Sequence, residues 1–475
     1  MQTIESSVIL DIMEFVTENK ELFDKYRAEY PLFSYDKYEW SLNDSTLTLN
    51  FTYSFSLSDT IETSLEIKLP GEVSIEDIKS HEDYIFRIGL IDALSYWKAY
   101  CSPQVHIACG YLSDFEISWW KNIWHDGLGE FRYRNGLLSV KKEDWVEITY
   151  GENNYKIISH DFSNLNGNLI AFTGGKDSTL SLGIFKDVGG NNNETFVINP
   201  SPHTEKIKEI LGVQAYPETV VLRTVHPHLI ELNKQGALNG HTPFSAVVSF
   251  IGIFVASLRN KKYFIVSNES SASEATVPGT DINHQYSKSL TFENSFQDYC
   301  NHIWPKGPLY VSILRSITEI GIACMLKKYE AAMPYISSCN VKLKNGLWCG
   351  ECPKCFFASM LFSSVWDIEF ATKIIGINMF NNLNNMEMLL ELTGIAETKP
   401  FECIGTTEES RAILSKIYTK NDALDQPLLK KFWELHKEIL PNSERFAEIA
   451  SEFNEHLLPS ELESIIKSAH KDIIK

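Results

Sequence analysis

The sequence of 475 residues predicts an α/β protein, with a parallel sheet between an α+β N-terminal domain and a helical C-terminal region. Three observations predict it. Apolar runs of strand length alternate with helical patterns through the middle of the chain. The first of those runs ends in a glycine turn that opens a helix, "TGGKDST" at Thr173 to Thr179. Four cysteines crowd together late in the same region, Cys339, Cys349, Cys352 and Cys355. The domains implied are 1–158, 159–365 and 366–475.

The N-terminal domain mixes strand-like alternation ("STLTLNFTYSFSLS", "TSLEIKLP") with a helical pattern, "IFRIGLIDALSYWKAY". The aromatic stretch from Ile117 to Leu137 is expected to be core rather than a ligand-facing wall. The polar stretch "HDFSNLNGN", His160 to Asn168, is expected to be a linker. Then come the strands "LIAFT", "TFVINP", "TVVLRTV" and "KYFIVS", separated by "STLSLGIFKD", "TEKIKEILG" and a long apolar helix beginning near Pro243. Strands this apolar are buried on both faces, as in a parallel sheet. Ligands of such sheets sit beyond the carboxyl ends of the strands. That rule places the glycine loop, "NPSP" and "SNESSAS" on one rim. From about Pro353 the chain reads as amphipathic helices, expected to cap the sheet domain without chemistry of their own.

Composition narrows the function. A net charge of −19 argues against a nucleic-acid partner. The stretch Met1 to Val16 lacks a basic region and does not read as a signal peptide. "FSAVVSFIGIFVASL" is too short to span a bilayer and is expected to be a buried helix. A cytoplasmic protein without membrane contact follows as the expectation.

The glycine turn has the residues of a phosphate cradle. Gly174 and Gly175 let a ligand approach the main chain, and Lys176 adds positive charge. Ser178 and Thr179 open a helix whose first amides are free to meet an anion. Asp177 can hold a divalent cation or cap the helix. A Walker loop needs longer spacing, with lysine just before the hydroxyl residue. The cysteines form C-x9-C-x2-C-x2-C, a spacing that suits one closed tetrahedral zinc site of structural type. Gly350 and Pro353 assist the turns between them. Unmetallated thiols or a redox pair are the alternative.

Three further segments supply candidate acid, base and binding groups. "NGHTP" offers Asn239, His241 and Thr242 at a helix entrance. "SNESSAS" carries Glu269 among hydroxyls, and "NHQYSKS" carries His284, Tyr286 and Lys288. His241 and His284 are the first candidates for proton transfer, because histidine titrates near neutral pH. Lys288, Tyr286 and Glu269 come second. Lys98, Arg132, Arg134, Arg223 and Lys288 are candidate cationic partners for an acidic ligand.

"TGGKDS" resembles the PP-loop of the ATP pyrophosphatases, with Thr173 where that superfamily usually has serine. The resemblance implies a HUP-like ATP-binding domain, with Thr173, Gly174, Gly175, Lys176, Asp177 and Ser178 at the phosphates. It also implies Mg²⁺ and cleavage of ATP to AMP and diphosphate. The order of PP-loop and "CGECPKC" is similar to 7-cyano-7-deazaguanine synthase, which lacks the N-terminal domain and the long helical tail. Together with "GLIDALSYWKAYCSPQV", "GLGEFRYRNGL" and "KPFECIGTTEESRAIL", these motifs resemble the UDP-N-acetyl-alpha-D-muramoyl-L-alanyl-L-glutamate epimerase family, over about residues 80–415. That resemblance implies ATP-dependent inversion of the terminal L-glutamate of UDP-MurNAc-L-Ala-L-Glu by carboxylate adenylation, in peptidoglycan precursor synthesis. The cofactors implied are ATP, Mg²⁺ and a structural Zn²⁺. The alternatives are a carboxylate-activating ligase like the deazaguanine synthase, a tRNA-modifying PP-loop protein and a non-catalytic zinc-ribbon protein.

Overall fold

The computed structural model describes residues 19–56, 60–151, 158–190, 192–277, 279–342 and 345–471, so the reading of Met1 to Val16 lies outside it. In chain order the strands are β1 (Leu32–Asn43), β2 (Thr46–Phe55), β3 (Thr60–Lys68), β4 (Gln104–Ile107) and β5 (Glu147–Tyr150). They continue with β6 (Asn168–Ala171), β7 (Asn193–Ile198), β8 (Glu218–Arg223), β9 (Tyr263–Val266) and β10 (Leu309–Ser312). The chain forms two compact units whose segments interleave along the sequence. One takes 1–164, 220–259 and 299–307; the other takes 165–219, 260–298 and 308–475.

In the first unit β2 and β3 bury alternate residues, as the period of two in their sequences requires. β1 to β3 form an antiparallel meander, and Val220–Arg223 of β8 extend it antiparallel to β3. β4 and β5 add in parallel beside β1. The helix Glu82–Trp97 packs against this sheet. The Tyr53 hydroxyl donates to the Gly89 carbonyl at 2.7 Å. A Cβ at Gly89 would collide with the Tyr35 ring, so only glycine permits this approach. The aromatic stretch is core, as expected: Trp120, Trp124 and Phe131 are fully buried. Trp120 stacks on Phe250 of the helix Phe244–Leu258, with ring centroids 5.1 Å apart. That helix matches the apolar run read from the sequence, and its residues are largely buried. The stretch His160 to Asn168 contains the junction of the two units, after Asn164, and its first residue belongs to the first: His160 Nε2 lies 3.1 Å from Asp83, which also accepts from the Trp304 indole at 2.6 Å. Trp304 in turn stacks on Tyr84 at 3.9 Å.

In the second unit β10, β9, β6 and β7 lie side by side in that order, all parallel. β9 is buried throughout and β7 nearly so, the condition of a sheet covered on both faces. The core runs from Ile170, Leu180 and Ile265 through Phe356 and Phe362 to Leu414 and Ile466. The C-terminal helices therefore share one core with the sheet, which fits their amphipathic spacing. No helix among the described residues is long and apolar enough to cross a membrane.

Candidate active site

Parallel pairing puts the carboxyl ends of β6, β7, β9 and β10 on one rim of the second unit. After β6 the chain turns through Gly174, at φ +79°, and Gly175 into the helix Lys176–Val188. A Cβ on Gly174 would sit 3.2 Å from the Ser201 hydroxyl, in the segment that follows β7. Gly175 at the N-cap has no side chain of its own to accept from the first amides of this helix. Thr173 is exposed at the mouth, and its amide donates to the Ser178 hydroxyl at 3.2 Å. Two serines of a neighbouring segment close the loop. The Ser337 amide donates to the Gly174 carbonyl at 3.3 Å, and the Ser338 hydroxyl accepts from the Lys176 amide at 3.4 Å.

The Lys176 side chain is buried. Its Nζ stands 2.5 Å from Asp177 Oδ1 and 2.5 Å from Glu319 Oε2. Burial opposes its charge, but Asp177, Glu319 and Glu269 outweigh burial and raise its pKa. Burial likewise raises the carboxyl of Glu319 well above the usual range, with Lys176 pulling the other way. Glu269 is also buried, yet Lys176 and Lys288 hold its carboxyl below the ordinary value. Lys288 is desolvated, and Cys403, Glu269 and Asp177 keep it charged. Two lysines and three carboxylates thus share one partly dry volume at the glycine loop. Such a set suits a polyphosphate and a cation together, because each can replace one of the internal ion partners.

Arg315 fixes the backbone of this cluster. Its guanidinium donates to the Glu269 carbonyl at 2.7 Å, the Lys288 carbonyl at 2.5 Å and the Glu293 carboxylate at 2.9 Å. Glu293 also accepts from the Ser312 amide at the end of β10, at 2.8 Å. One buried ion pair therefore holds the loops after β9 and β10 in register with the segment of Lys288.

His284 and Tyr286 belong to the same unit. The His284 amide donates to Thr276 Oγ1 at 3.0 Å, and the Tyr286 ring meets the edge of Phe292. His241 belongs to the first unit. Its loop is seated by Lys98, whose Nζ donates to Asn239 Oδ1 at 3.1 Å and to the Gly240 carbonyl at 2.5 Å. Burial brings Lys98 down to about 8. Of the other candidate cations, Arg223 is paired with Asp92 at 2.6 Å and Arg134 with Glu130 at 2.5 Å. Arg132 is buried in the first unit.

The C-terminal region packs on the sheet, as read from the sequence, and also reaches this cluster. Cys403 accepts a hydrogen bond from Lys288 Nζ at 3.2 Å. Glu409, within the helix Thr407–Ile417, accepts from the Glu319 amide at 2.6 Å and so caps the helix Glu319–Leu326. Sequence reasoning missed Cys403, Glu319, Arg315 and the pair Ser337 and Ser338. Only Glu319 left a local signal, as an acidic residue opening a helix behind Thr318.

The four clustered cysteines do come together. Their sulfurs all lie within 4.8 Å of one another, with Cys349 and Cys352 at 3.6 and 3.5 Å from Cys355. A tetrahedral ion with metal–sulfur bonds of about 2.3 Å sets sulfur pairs roughly 3.8 Å apart, so the set can hold one metal ion. Cys352 is the N-cap of the helix Pro353–Val365, and Pro353 opens it, which aims Cys355 back at the cluster.

Comparison with known proteins agrees with this picture. Two family models match: the MurL N-terminal domain over residues 24–313 and the MurL C-terminal domain over residues 335–446. Curated relatives carry the name UDP-N-acetyl-alpha-D-muramoyl-L-alanyl-L-glutamate epimerase. The one from Xanthomonas oryzae pv. oryzae is 28% identical over 385 residues, 78% of this chain and 83% of the relative. Those from Micromonospora sp. and Salinispora tropica are 30% and 29% identical, each over 72% of this chain and over 76% and 74% of their own lengths. No solved structure matches. With both family models matched in sequence order and three relatives aligned over most of its length, the chain belongs to the MurL family.

Proposed function

We propose that this protein inverts the terminal L-glutamate of UDP-MurNAc-L-Ala-L-Glu to D-glutamate, consuming ATP and releasing AMP and diphosphate, in cytoplasmic peptidoglycan precursor synthesis. The substrate follows the name its relatives carry. The use of ATP rests on one observation: a helix that starts from Gly175 behind a left-handed glycine, with Lys176 buried between Asp177 and Glu319. In this reading the loop is a PP-loop. Thr173, Gly174, Gly175, Lys176, Asp177 and Ser178 hold the phosphates, and Asp177 lies beside Mg²⁺. The four cysteines hold a structural zinc, whose closed sulfur set leaves no position for substrate.

The chemistry needs activation. The α-carbon of a glutamate carboxylate resists deprotonation, because a second negative charge must grow beside the first. Attack of that carboxylate on the α-phosphate of ATP gives an acyl-adenylate and removes the first charge. If this lowers the C–H pKa by roughly ten units, it is worth on the order of 14 kcal/mol. A base then takes the α-proton, an acid returns one to the opposite face, and water frees AMP. His284 and His241 are the candidates for these two roles, with Lys288, Glu269 and Tyr286 behind them. No pyridoxal or flavin is required.

The test is direct. Incubation with UDP-MurNAc-L-Ala-L-Glu, ATP and Mg²⁺ should yield D-glutamate on hydrolysis and AMP in proportion. Unchanged L-glutamate without AMP would refute the proposal. A carboxylate-activating ligase would instead release AMP without inversion, given a different acid.

A further inference from the structure

Cys403 lies in a segment that the loops of the site hold in place. The Lys399 amide donates to the Thr276 carbonyl at 3.3 Å, and its ammonium pairs with Glu274 and donates to the Gly405 carbonyl at 3.1 Å. Thr276 is the same residue that accepts from the His284 amide. On the other side Glu402 accepts from Asn340 at 2.9 Å. The thiol is only partly covered, unlike the fully buried Cys101. Three protonated or protonatable groups face it: Lys288 at 3.2 Å, His284 through a side-chain hydrogen bond, and Lys354. Lys288 also faces Asp177 of the phosphate loop, so one ammonium links the sulfur to the phosphate cradle.

We infer that Cys403 is one of the two acid–base residues of the epimerisation, its sulfur moving the glutamyl α-proton on one face of the activated carbon. This rests on the function proposed above and gives to Cys403 the proton-transfer role offered there to His284. The electrostatics agree with the geometry. Burial pushes the thiol up, but Lys288, Lys354 and His284 outweigh it and bring it down to about 6, so the thiolate is present at neutral pH. Cys324, also partly covered, is pushed up to about 11 by burial, which Lys327 and Lys416 do not offset. In the forward step the Cys403 thiolate takes the α-proton, and the C–H electron pair moves onto the carbonyl oxygen of the acyl-adenylate. An acid on the opposite face delivers a proton to the carbon. Cys403 is left as a thiol and the acid as its conjugate base, and a proton passed between them through water resets the pair. Lys288 and His284 act on Cys403 as positioning residues, stabilising the thiolate and orienting the sulfur.

The experiment separates activation from proton transfer. Wild-type protein, Cys403→Ser and Cys403→Ala are given UDP-MurNAc-L-Ala-L-Glu, ATP and Mg²⁺ in D₂O. Substrate-dependent exchange of labelled diphosphate into ATP reads activation, and mass spectrometry of glutamate reads α-deuteration. The variants should keep exchange within about 3-fold and lose α-deuteration by about 100-fold or more. Deuteration within about 3-fold of wild type would overturn the assignment, and so would loss of exchange and deuteration together. The wild-type protein gives a second reading that needs no variant. At pH 7 iodoacetamide should alkylate Cys403 at least about ten-fold faster than Cys324, and substrate with ATP should protect it. Equal rates would overturn the assignment as well. A wild-type protein that exchanges no diphosphate and makes no D-glutamate sinks the epimerase reading itself, a result distinct from failure at Cys403.

Discussion

Replacing Arg315 by methionine tests how the site is held. The guanidinium is 1% exposed and its partner Glu293 is 0% exposed. Removing one member of a buried ion pair costs about 3–5 kcal/mol, because the other charge stays behind. Two carbonyls, of Glu269 and Lys288, also lose their donor, at about 1–3 kcal/mol each where water cannot reach. These losses overlap, so we expect roughly 4–6 kcal/mol, a large fraction of the 5–15 typical of a domain. Urea unfolding followed by tryptophan fluorescence would measure it. The double variant Arg315→Met/Glu293→Gln keeps an acceptor for the Ser312 amide and removes the stranded charge. It should recover about 2 kcal/mol or more. The deficit of the single variant should also shrink as pH falls. Burial already raises the Glu293 carboxyl while Arg315 lowers it, so without Arg315 the folded pKa climbs further. The folded protein then binds a proton that the unfolded chain, with a carboxyl near 4.3, does not hold. Stability is therefore gained as pH falls through the raised folded value toward the unfolded one, and the loss at pH 5.5 should be smaller than at pH 8. A loss below about 1.5 kcal/mol at neutral pH, or a double variant no better than the single, would refute this account of Arg315.

Lys176→Ala should cut substrate-dependent AMP release by about 100-fold or more, because the charge at the phosphate cradle is lost; chromatographic AMP assay would show it. Gly174→Ala forces a side chain to φ +79°, which should cost about 1–2 kcal/mol and weaken ATP binding roughly ten-fold by calorimetry. Cys352→Ser should lower bound zinc from about one per chain to a small fraction and depress the melting temperature, read by plasma mass spectrometry and calorimetry.

Much of the second unit was legible. The alternation of apolar strands and helices located β6, β7 and β9, as well as the helix Phe244–Leu258 of the first unit, and the cysteine spacing predicted a cluster that does assemble. β4, β5 and β10 escaped notice because four-residue strands leave too short a period to read. β8 was legible as a strand, but its antiparallel pairing of Val220–Arg223 with Leu65–Lys68 of β3, distant in sequence, is announced by no local pattern. The glycine loop was legible because its chemistry lies in consecutive residues. Arg315, Glu319 and Cys403 were not, because each gains its meaning from groups far along the chain: Glu293, Lys176 and Lys288. In sequence Arg315 looks like one more surface cation, and Cys403 like one of five scattered cysteines.

The interleaving of segments dictates the order in which the protein can fold on the ribosome. When Asn164 emerges, the first unit still lacks the strand that pairs with β3, the helix that covers Trp120 and the indole that stacks on Tyr84. The last of these, Trp304, is made only after most of the parallel sheet of the second unit has appeared. At typical synthesis rates the wait is roughly 10–30 s, during which the aromatic face of the N-terminal segment stays uncovered. The N-terminal segment must therefore be kept from aggregating while the second unit is being made, and a truncation after residue 164 should not give a stable fragment.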